Sequence, residues 1–133
     1  MRDLTLITYN LWHGLSGEGT LRFGELEPVE HRLEREQAQE QFFASQKADI
    51  YFFQETNPLD IRMARFAEVL GAMPFGQIDS SGVRLESAGF PLNLYSGLTT
   101  YVSPAFQAIH KKSLRLSGSS WQNDWFSIQL KES

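Results

Sequence analysis

The chain has 133 residues, of which 41% are hydrophobic, and it carries a formal net charge of −4 and no cysteine. This length allows one domain with a sizeable core. The acidic balance disfavours nonspecific nucleic-acid binding without excluding a nuclease, because a bound metal ion offsets local negative charge, and the lack of cysteine excludes disulfides and thiolate sites.

Membrane insertion and secretion depend on long apolar segments, which this sequence lacks. No apolar run reaches the ~18 residues of a membrane-spanning helix. Residues 1–3 lead directly into a predicted strand, without the apolar segment of a signal peptide. We therefore expect no membrane span and, by default, a cytoplasmic protein.

The first predicted element is a β-strand that ends in a carboxamide. Residues 4–9 are rich in β-branched and aromatic side chains, and Asn10 follows them. A loop with several glycines comes next, over residues 11–28, and it begins beside Asn10. Its Trp12 and His13 are candidates to line a site there; the alternatives are that Trp12 packs on the sheet edge and that His13 is solvated.

A helix is predicted to begin at Pro28 and to run to about Gln46. Proline is favoured at the first helical position, where its missing N–H needs no partner. The charged run 34–41 predicts a solvated face, with Arg32 and Glu36 as an i,i+4 ion pair. A partner-binding coiled coil is the alternative, which the lack of a sustained heptad repeat disfavours. The apolar stripe of this helix is narrow and consists of Val29, Leu33, Phe42 and Phe43.

The second predicted strand is a short, continuous apolar run that ends in a carboxylate. Residues 50–53 are β-branched or aromatic, as in a buried strand, and Gln54 and Glu55 follow them. The next helix is predicted to begin near Pro58 and to end before Gly71, which suits the left-handed residue after a helix. Its apolar side chains recur at helical spacing and should cover one face of the sheet: Leu59, Met63, Phe66, Ala67 and Leu70.

The rest of the chain is predicted to form a short strand, a long loop and an antiparallel tail. The short strand lies around residues 75–78. Glu86 and Tyr95 are the polar candidates of the loop after it, and the alternative is that they are ordinary exposed residues. We expect His110, at the end of a strand, to be solvated, and the two lysines after it to lie in a turn; the alternative for the lysines is that they contact phosphate. Alternating patterns predict the tail strands 98–102, 106–110, 113–116 and 125–130.

The order of these elements predicts that Asn10 and Glu55 lie at the same edge of one sheet. A strand–helix–strand unit makes its two strands parallel through a right-handed connection. Parallel strands end on the same side, and in open α/β sheets that side binds ligands. One carboxylate and one carboxamide at this edge provide oxygen ligands of the kind that a hard cation such as Mg²⁺ prefers.

The two strand ends resemble the first motifs of a known superfamily. Residues 8–12 (TYNLW) and 49–55 (DIYFFQE) are similar to the start of the endonuclease/exonuclease/phosphatase superfamily, which includes DNase I-like nucleases, apurinic endonucleases, inositol phosphatases and bacterial sphingomyelinases. The resemblance implies that Asn10 is a catalytic residue that helps to bind the phosphate and the metal, and that Glu55 binds the catalytic Mg²⁺ or Mn²⁺. It also implies an α/β (α+β) fold, namely the N-terminal half of a four-layer α/β-sandwich of the DNase I-like type, in which a mixed sheet has flanking helices.

The superfamily pattern is incomplete in this chain. The family also uses an Asp-x-Asn motif and a late Asp-His pair that acts on the attacking water, and the sequence contains neither. The chain ends where a family domain would be about half complete, so residues 1–133 are expected to form a single partial domain. The sheet face that a second half would cover should then be apolar and exposed, and we expect self-association or a complementing second chain.

Three functions stay open at this point. The first is a Mg²⁺- or Mn²⁺-dependent phosphoesterase with little activity alone, because its water-activating base is missing. The second is a non-catalytic half-domain that acts as a binding or assembly module, and the third is an unrelated small α/β domain with a chance motif. The substrate class stays open as well, although the negative charge and the Asn10-Leu11-Trp12 step favour a general metal-dependent hydrolase slightly over a DNA enzyme.

Overall fold

The computed structural model describes residues 3–11, 16, 27–57, 59–78, 97–115 and 124–132. These ranges contain β1 (Leu6–Asn10), α1 (Val29–Gln46), β2 (Ile50–Gln54), α2 (Leu59–Leu70), β3 (Met73–Ile78), β4 (Gly97–Val102), β5 (Phe106–Arg115) and β6 (Asp124–Glu132). The elements predicted before β4 are all present with small shifts of their ends, and Pro28 precedes α1 as its N-cap residue instead of being its first helical residue. In this part of the chain, neither helix is both long and apolar enough to cross a membrane.

Four strands form one mixed sheet in the order β1-β2-β4-β3. β1 and β2 are parallel, whereas β4 runs antiparallel to both β2 and β3. The predicted strand–helix–strand unit is therefore confirmed, and the described residues have the general α/β class, with a mixed sheet and two helices. Within these residues the four layers of a DNase I-like sandwich are not present.

The core lies between the helices and one face of this sheet. Tyr51 and Phe53 of β2 point to that face, and Phe53 is buried at its centre. The centroid of the Phe53 ring lies 4.8 Å from that of Phe43 in α1 and 4.9 Å from that of Phe66 in α2. Tyr101 of β4 completes the cluster at 5.5 Å from Phe53. The prediction that α2 covers one sheet face is thereby confirmed.

The prediction for α1 is wrong on both of its faces. Of the apolar stripe only Phe43 is buried, whereas three residues are exposed: Val29, Leu33 and Phe42. Conversely, Glu36 and Glu40 belong to the run that was predicted to be solvated, yet they are 7% and 5% exposed. Glu36 does not form the predicted pair with Arg32 but bonds an arginine of α2, and Arg32 lies 3.7 Å from Glu27 instead.

The buried carboxylates of α1 meet two arginines of α2. Arg65 donates to Glu36 at 2.8 Å and to Glu40 at 3.1 Å. Arg62 is fully buried, lies 3.7 Å from Glu36 and donates to Gln39 at 3.0 Å. Burial lowers the pKa of Arg62 from its usual value, and the charges of Glu36 and Glu40 oppose that shift. Because buried charges are tolerated only when they are paired, these contacts constrain how α1 packs on α2.

The opposite face of the sheet is apolar and only partly covered. Leu6, Ile50, Val102 and Met73 are cross-strand neighbours in one row of this face. The inner pair, Ile50 and Val102, is buried, whereas Leu6 and Met73 at the two ends are each 54% exposed. Phe52, in the next row, is 38% exposed. The apolar exposure that was expected for this face therefore occurs at these three positions and not at the centre of the row.

The tail forms a separate antiparallel pair, because β5 and β6 make a two-stranded sheet of their own. The antiparallel prediction is confirmed. The predicted division into two strands is wrong, since residues 106–110 and 113–115 belong to the single strand β5. The lysines after His110 thus lie within β5 and not in a turn, while His110 is exposed as predicted. Glu86 and Tyr95, the polar candidates of the long loop, lie outside the described residues.

Candidate functional site

The ends of β1 and β2 place Asn10 and Glu55 at one edge of the sheet. The parallel register sets Asn10 opposite Gln54, the residue before Glu55. The pairing continues one step further, because the N–H of Leu11 donates to the Gln54 carbonyl at 2.9 Å. Asn10 is exposed and Glu55 is partly exposed, so solvent reaches this edge. The placement follows from the topology as expected, while the chemical role of both residues stays a prediction.

Contacts at the other end of the two strands fix this register. The carboxylate of Asp49 accepts from the N–H of Thr5 at 3.0 Å, and the N–H of Asp49 donates to the Thr5 carbonyl at 2.9 Å. The Asp49 carbonyl also accepts from the N–H of Ser103, which follows β4. A slip of one residue would turn every side chain of β1 to the other face. Asp49, which is buried, therefore helps to keep Asn10 level with the end of β2.

The backbone of Glu55 is unusual for a glutamate. Its φ is 55°, in the left-handed region, and such a conformation costs a residue with a side chain about 1–3 kcal/mol. Lys47 and Gly71 also have positive φ, but each directly follows a helix, where a left-handed residue is ordinary. Glu55 follows a strand, so helix capping does not explain it. Strained residues of this kind cluster at functional sites, which favours a functional role for Glu55.

Contacts with β4 hold the chain immediately after Glu55. Thr56 is fully buried, and its N–H donates to the Gly97 carbonyl at 2.9 Å. Its hydroxyl shares a hydrogen bond with the hydroxyl of Thr99 at 2.8 Å, in which either oxygen can donate. Gly97 has no space for a side chain, because a Cβ there would lie 2.5 Å from the Thr56 carbonyl oxygen. The start of β4 thus packs closely against Thr56, the residue after Glu55.

A second carboxamide lies next to Asn10. The side-chain amide of Gln54 donates to the Thr8 hydroxyl at 3.0 Å and to the Phe52 carbonyl at 3.3 Å. Because side chains alternate along a strand, Thr8, Asn10 and Gln54 share the sheet face that is turned away from the helices. Phe52, which is exposed, lies opposite Thr8 on this face, so the exposed apolar side chains extend to the candidate site.

The residue types at this edge, a carboxamide and a carboxylate, are of the kind that divalent cations bind. Asn10 supplies an amide oxygen and Glu55 a carboxylate, which are hard ligands suited to Mg²⁺ or Mn²⁺. Among the described residues, no group of three or more acidic, histidine or cysteine side chains could hold an ion. Protein sites often bind Mg²⁺ through one or two carboxylates together with waters and phosphate oxygens of the substrate. Two protein ligands at an accessible edge are compatible with weak binding of that kind.

A shallow cleft of about 280 Å³ lies on the helix side of β1, and its lining consists of Tyr9, Arg35, Ala38, Gln39, Phe42 and Phe43. Arg35 forms a bidentate ion pair with Glu27, and this hydrogen bonding lowers the pKa of the Glu27 carboxyl. Tyr9 and Asn10 are consecutive strand residues, so their side chains lie on opposite faces of the sheet. The cleft is therefore separate from the face that carries Asn10.

Trp12 and His13, the remaining residues predicted for the site, lie outside the described residues. Their role in lining the site stays a prediction. Sequence analysis missed the contribution of Thr56, Gly97 and Thr99. Thr56 directly follows the motif, but its partner Thr99 lies 43 residues further along the chain, and no local pattern connects the two.

Comparison of the chain with protein-family models, with curated proteins and with solved structures found no match. The resemblance carried by residues 8–12 and 49–55 consequently stays a prediction.

Proposed function

We infer that this chain is the metal-holding part of a Mg²⁺- or Mn²⁺-dependent phosphoesterase that hydrolyses phosphodiester or phosphomonoester bonds. The observation that carries the proposal is that Asn10 pairs with Gln54, the residue before Glu55, at the ends of two parallel strands. The left-handed backbone of Glu55 gives independent support, because such strain clusters at functional sites. In this proposal the mixed sheet and its helices correspond to the N-terminal half of a four-layer sandwich.

Asn10 and Glu55 have different tasks in the proposed site. The carboxylate of Glu55 binds the cation. Asn10 would offer an amide oxygen to the cation and an NH₂ group that would donate to a phosphate oxygen and orient it. A bound metal would polarise the phosphate and lower the pKa of an attacking water. Gln54, held by Thr8, extends the polar surface beside Asn10.

The sequence supplies no residue pair of the kind that activates the attacking water. It contains no aspartate followed by a histidine. Removal of a general base typically lowers the rate by about 10²–10⁴-fold. We therefore expect the purified chain to hydrolyse phosphate esters very slowly, unless a second chain provides the base.

The partly exposed apolar face is where such a partner would bind. Leu6, Phe52 and Met73 are exposed on the same face of the sheet as Asn10. They lie around the buried pair Ile50 and Val102, and exposed apolar side chains grouped on one sheet face support that face as an association surface. A second copy of the chain, or a complementing chain, that covered this face would also reach Asn10. It could thereby contribute the missing base.

The same face favours one alternative function. A non-catalytic half-domain that assembles through Leu6, Phe52 and Met73 would need neither a metal nor a base, and Glu55 would then be retained without a chemical role. An unrelated α/β domain with a chance motif would bind no metal at Glu55 and would not require association.

The test compares metal binding and hydrolysis in matched variants. Mn²⁺ binding, followed by electron paramagnetic resonance, and hydrolysis of bis(p-nitrophenyl) phosphate are measured for the wild type, Glu55→Gln and Glu68→Gln. Glu68 is an exposed carboxylate of α2, so its variant controls for the general loss of one negative charge. We expect Mn²⁺ to bind the wild type and Glu68→Gln but not Glu55→Gln, with slow hydrolysis by all three.

Three other results would change the interpretation. Equal Mn²⁺ binding by the wild type and Glu55→Gln would contradict the metal role of Glu55. An ordinary enzymatic rate that Glu55→Gln abolishes would contradict the expected near-inactivity and mean that the chain completes its own site, for example between two copies. Absence of Mn²⁺ binding, together with self-association that Phe52→Ser abolishes in size-exclusion chromatography, would favour the assembly module.

A further inference from the structure

We propose that Thr56, Thr99 and Gly97 are positioning residues, which hold the Glu55 backbone in its left-handed conformation and so set the direction of its carboxylate. The metal-binding consequence rests on the proposed function above. The backbone part rests only on the geometry around Glu55 and can be tested without a metal.

The first step is that the pairing of β2 with β4 changes at Glu55. The regular antiparallel register ends at the pair of Phe53 and Thr99. If it continued unchanged, Glu55 would lie opposite Gly97. Instead it is the N–H of Thr56 that donates to the Gly97 carbonyl at 2.9 Å, so β2 has gained one residue relative to β4. This is the arrangement of a β-bulge, in which one type places a left-handed glycine at the extra position.

A glutamate occupies the position that usually favours glycine. An unconstrained glutamate would continue in the extended conformation, because the left-handed region brings its Cβ close to a backbone carbonyl oxygen. The observed φ of 55° therefore has to be imposed by contacts on the neighbouring residues. An extended Glu55 would restore the regular register and would turn its carboxylate to a different side of the strand.

Contacts from two sides impose this conformation. On the β1 side, the N–H of Leu11 donates to the carbonyl of Gln54. On the β4 side, Thr56 and Thr99 share a hydroxyl hydrogen bond at 2.8 Å, and both residues are buried. A buried hydroxyl without its partner is costly, so this bond strongly favours the bulged register. Gly97 permits the approach, since a Cβ there would clash with the Thr56 carbonyl oxygen at 2.5 Å.

The test removes one hydroxyl at a site that is distant from Glu55 in sequence. Thr99→Val keeps the side-chain shape but eliminates the hydrogen bond to Thr56. The backbone ¹³C shifts and the amide–Hα coupling of Glu55, measured by NMR without metal, report its φ directly. We expect these values to leave the left-handed range in Thr99→Val and to return to it in Thr99→Ser, which restores a hydroxyl.

Thr100→Val is the matched control. Thr100 is the next residue of β4, is as buried as Thr99, and faces the opposite side of the sheet. Its variant should leave the NMR values of Glu55 unchanged. A purely structural role of Thr99 would give a lower melting temperature and unchanged Glu55 values in Thr99→Val, and that result would overturn the proposal.

The functional readout is Mn²⁺-induced broadening of the Glu55 and Asn10 amide signals, titrated to a Kd. Loss of residues that orient a metal ligand typically weakens metal binding by about 10–100-fold. We expect a rise of the Mn²⁺ Kd in this range for Thr99→Val and Thr56→Val, and no rise for Thr100→Val. A displaced Glu55 with an unchanged Kd would overturn the metal-directing part of the proposal.

If the valine variants do not fold, hydrogen exchange of the wild type tests the backbone part of the proposal. The amide of Thr56 should exchange with solvent as slowly as the core amides of β2, because it is buried and bonded to Gly97. Rapid exchange of this amide would overturn the proposal. Absence of Mn²⁺ broadening in the wild type would instead refute the proposed function, while the metal-free NMR values of Glu55 would still decide its backbone part.

Discussion

Carboxylates occur both at the interface between α1 and α2 and at the strand edge of Glu55, but they differ in burial and in pairing. At the interface, Glu36 and Glu40 are almost fully buried and accept hydrogen bonds from Arg65 at 2.8 and 3.1 Å. At the edge, Glu55 is partly exposed, Asn10 is exposed, and the backbone of Glu55 is in the left-handed conformation.

The two regions differ in whether their carboxylates are available to bind a cation from solvent. Glu36 and Glu40 are neutralised by arginines of the same chain, and a cation from solvent would have to displace those arginines and enter a buried space. Glu55 is partly exposed, although one of its carboxylate oxygens is buried, and its backbone lies in the left-handed region, as strained residues at functional sites often do. The carboxylates of the α1–α2 interface therefore serve helix packing, whereas the strand edge at Glu55 is the candidate place for a bound cation.

Replacement of Arg62 by alanine should have the largest effect on stability. Arg62 is fully buried, lies 3.7 Å from Glu36, and its guanidinium carbon is 5.5 Å from the centroid of the Phe66 ring. Its removal leaves the carboxylates of α1 short of one positive charge. Breaking a buried ion pair in this way typically costs about 3–5 kcal/mol. Urea denaturation should show a fall of this size in the free energy of unfolding.

Glu34→Ala is the control for Arg62→Ala, because Glu34 is an exposed residue of α1. Such surface substitutions usually change stability by less than about 0.5 kcal/mol. If Arg62→Ala were as mild as Glu34→Ala, the interface would not constrain the helices, and the contrast between the two regions would disappear.

The location of Asn10 and Glu55 at one sheet edge could be predicted because it depends on little more than the order of the helices and strands. The apolar run 50–53 indicates a buried strand, a helix of sufficient length precedes it, and parallel strands then end on the same side. The left-handed φ of Glu55 could not be predicted in this way. It depends on Thr99, which is close to Thr56 only after β4 has paired with β2.

The faces of α1 were predicted wrongly because its own sequence does not determine them. Glu36 and Glu40 are buried only because α2 provides arginines for them. One signal for this was available in α2, where Arg62 lies three residues after Leu59 and four before Phe66 and hence on the apolar side. An arginine on a buried face requires a carboxylate from a neighbouring element, and α1 carries the nearest acidic run.

Tyr101 links the two regions, since it packs under α2 and belongs to the strand that carries Thr99. Burial raises the pKa of Tyr101 to about 12. The folded state therefore favours the neutral phenol, and its contribution to stability is complete below a pH of about 10, the usual tyrosine pKa. As the pH rises from about 10 to about 12, the unfolded chain releases this proton first, and about 2–3 kcal/mol of stability should be lost.

The measurement is the free energy of unfolding across that alkaline range for the wild type, Tyr101→Phe and Tyr9→Phe. Tyr101→Phe should lose less stability with rising pH than the wild type. Tyr9, which is 46% exposed, provides the control and should leave the alkaline loss unchanged. An identical pH dependence for all three proteins would contradict the raised pKa of Tyr101.

Of the substitutions considered, controls aside, Glu55→Gly should change stability least, and it should abolish metal binding. The left-handed conformation costs a glutamate about 1–2 kcal/mol, whereas glycine adopts it freely but loses about 0.5–1 kcal/mol more in backbone entropy on folding. The free energy of unfolding of Glu55→Gly should consequently rise by about 0–1.5 kcal/mol. Mn²⁺ binding should be lost, because the carboxylate is gone.

Lys47→Gly is the matched control for this gain, since Lys47 has a φ of 50° against 55° for Glu55. It lies at the end of α1, away from the strand ends, and should gain stability by a similar amount while it keeps Mn²⁺ binding. A gain in Lys47→Gly together with a loss in Glu55→Gly would mean that the Glu55 side chain makes contacts that outweigh its backbone strain. Glu55 would then be kept for the stability of the strand edge, and the strain would no longer support a role in binding.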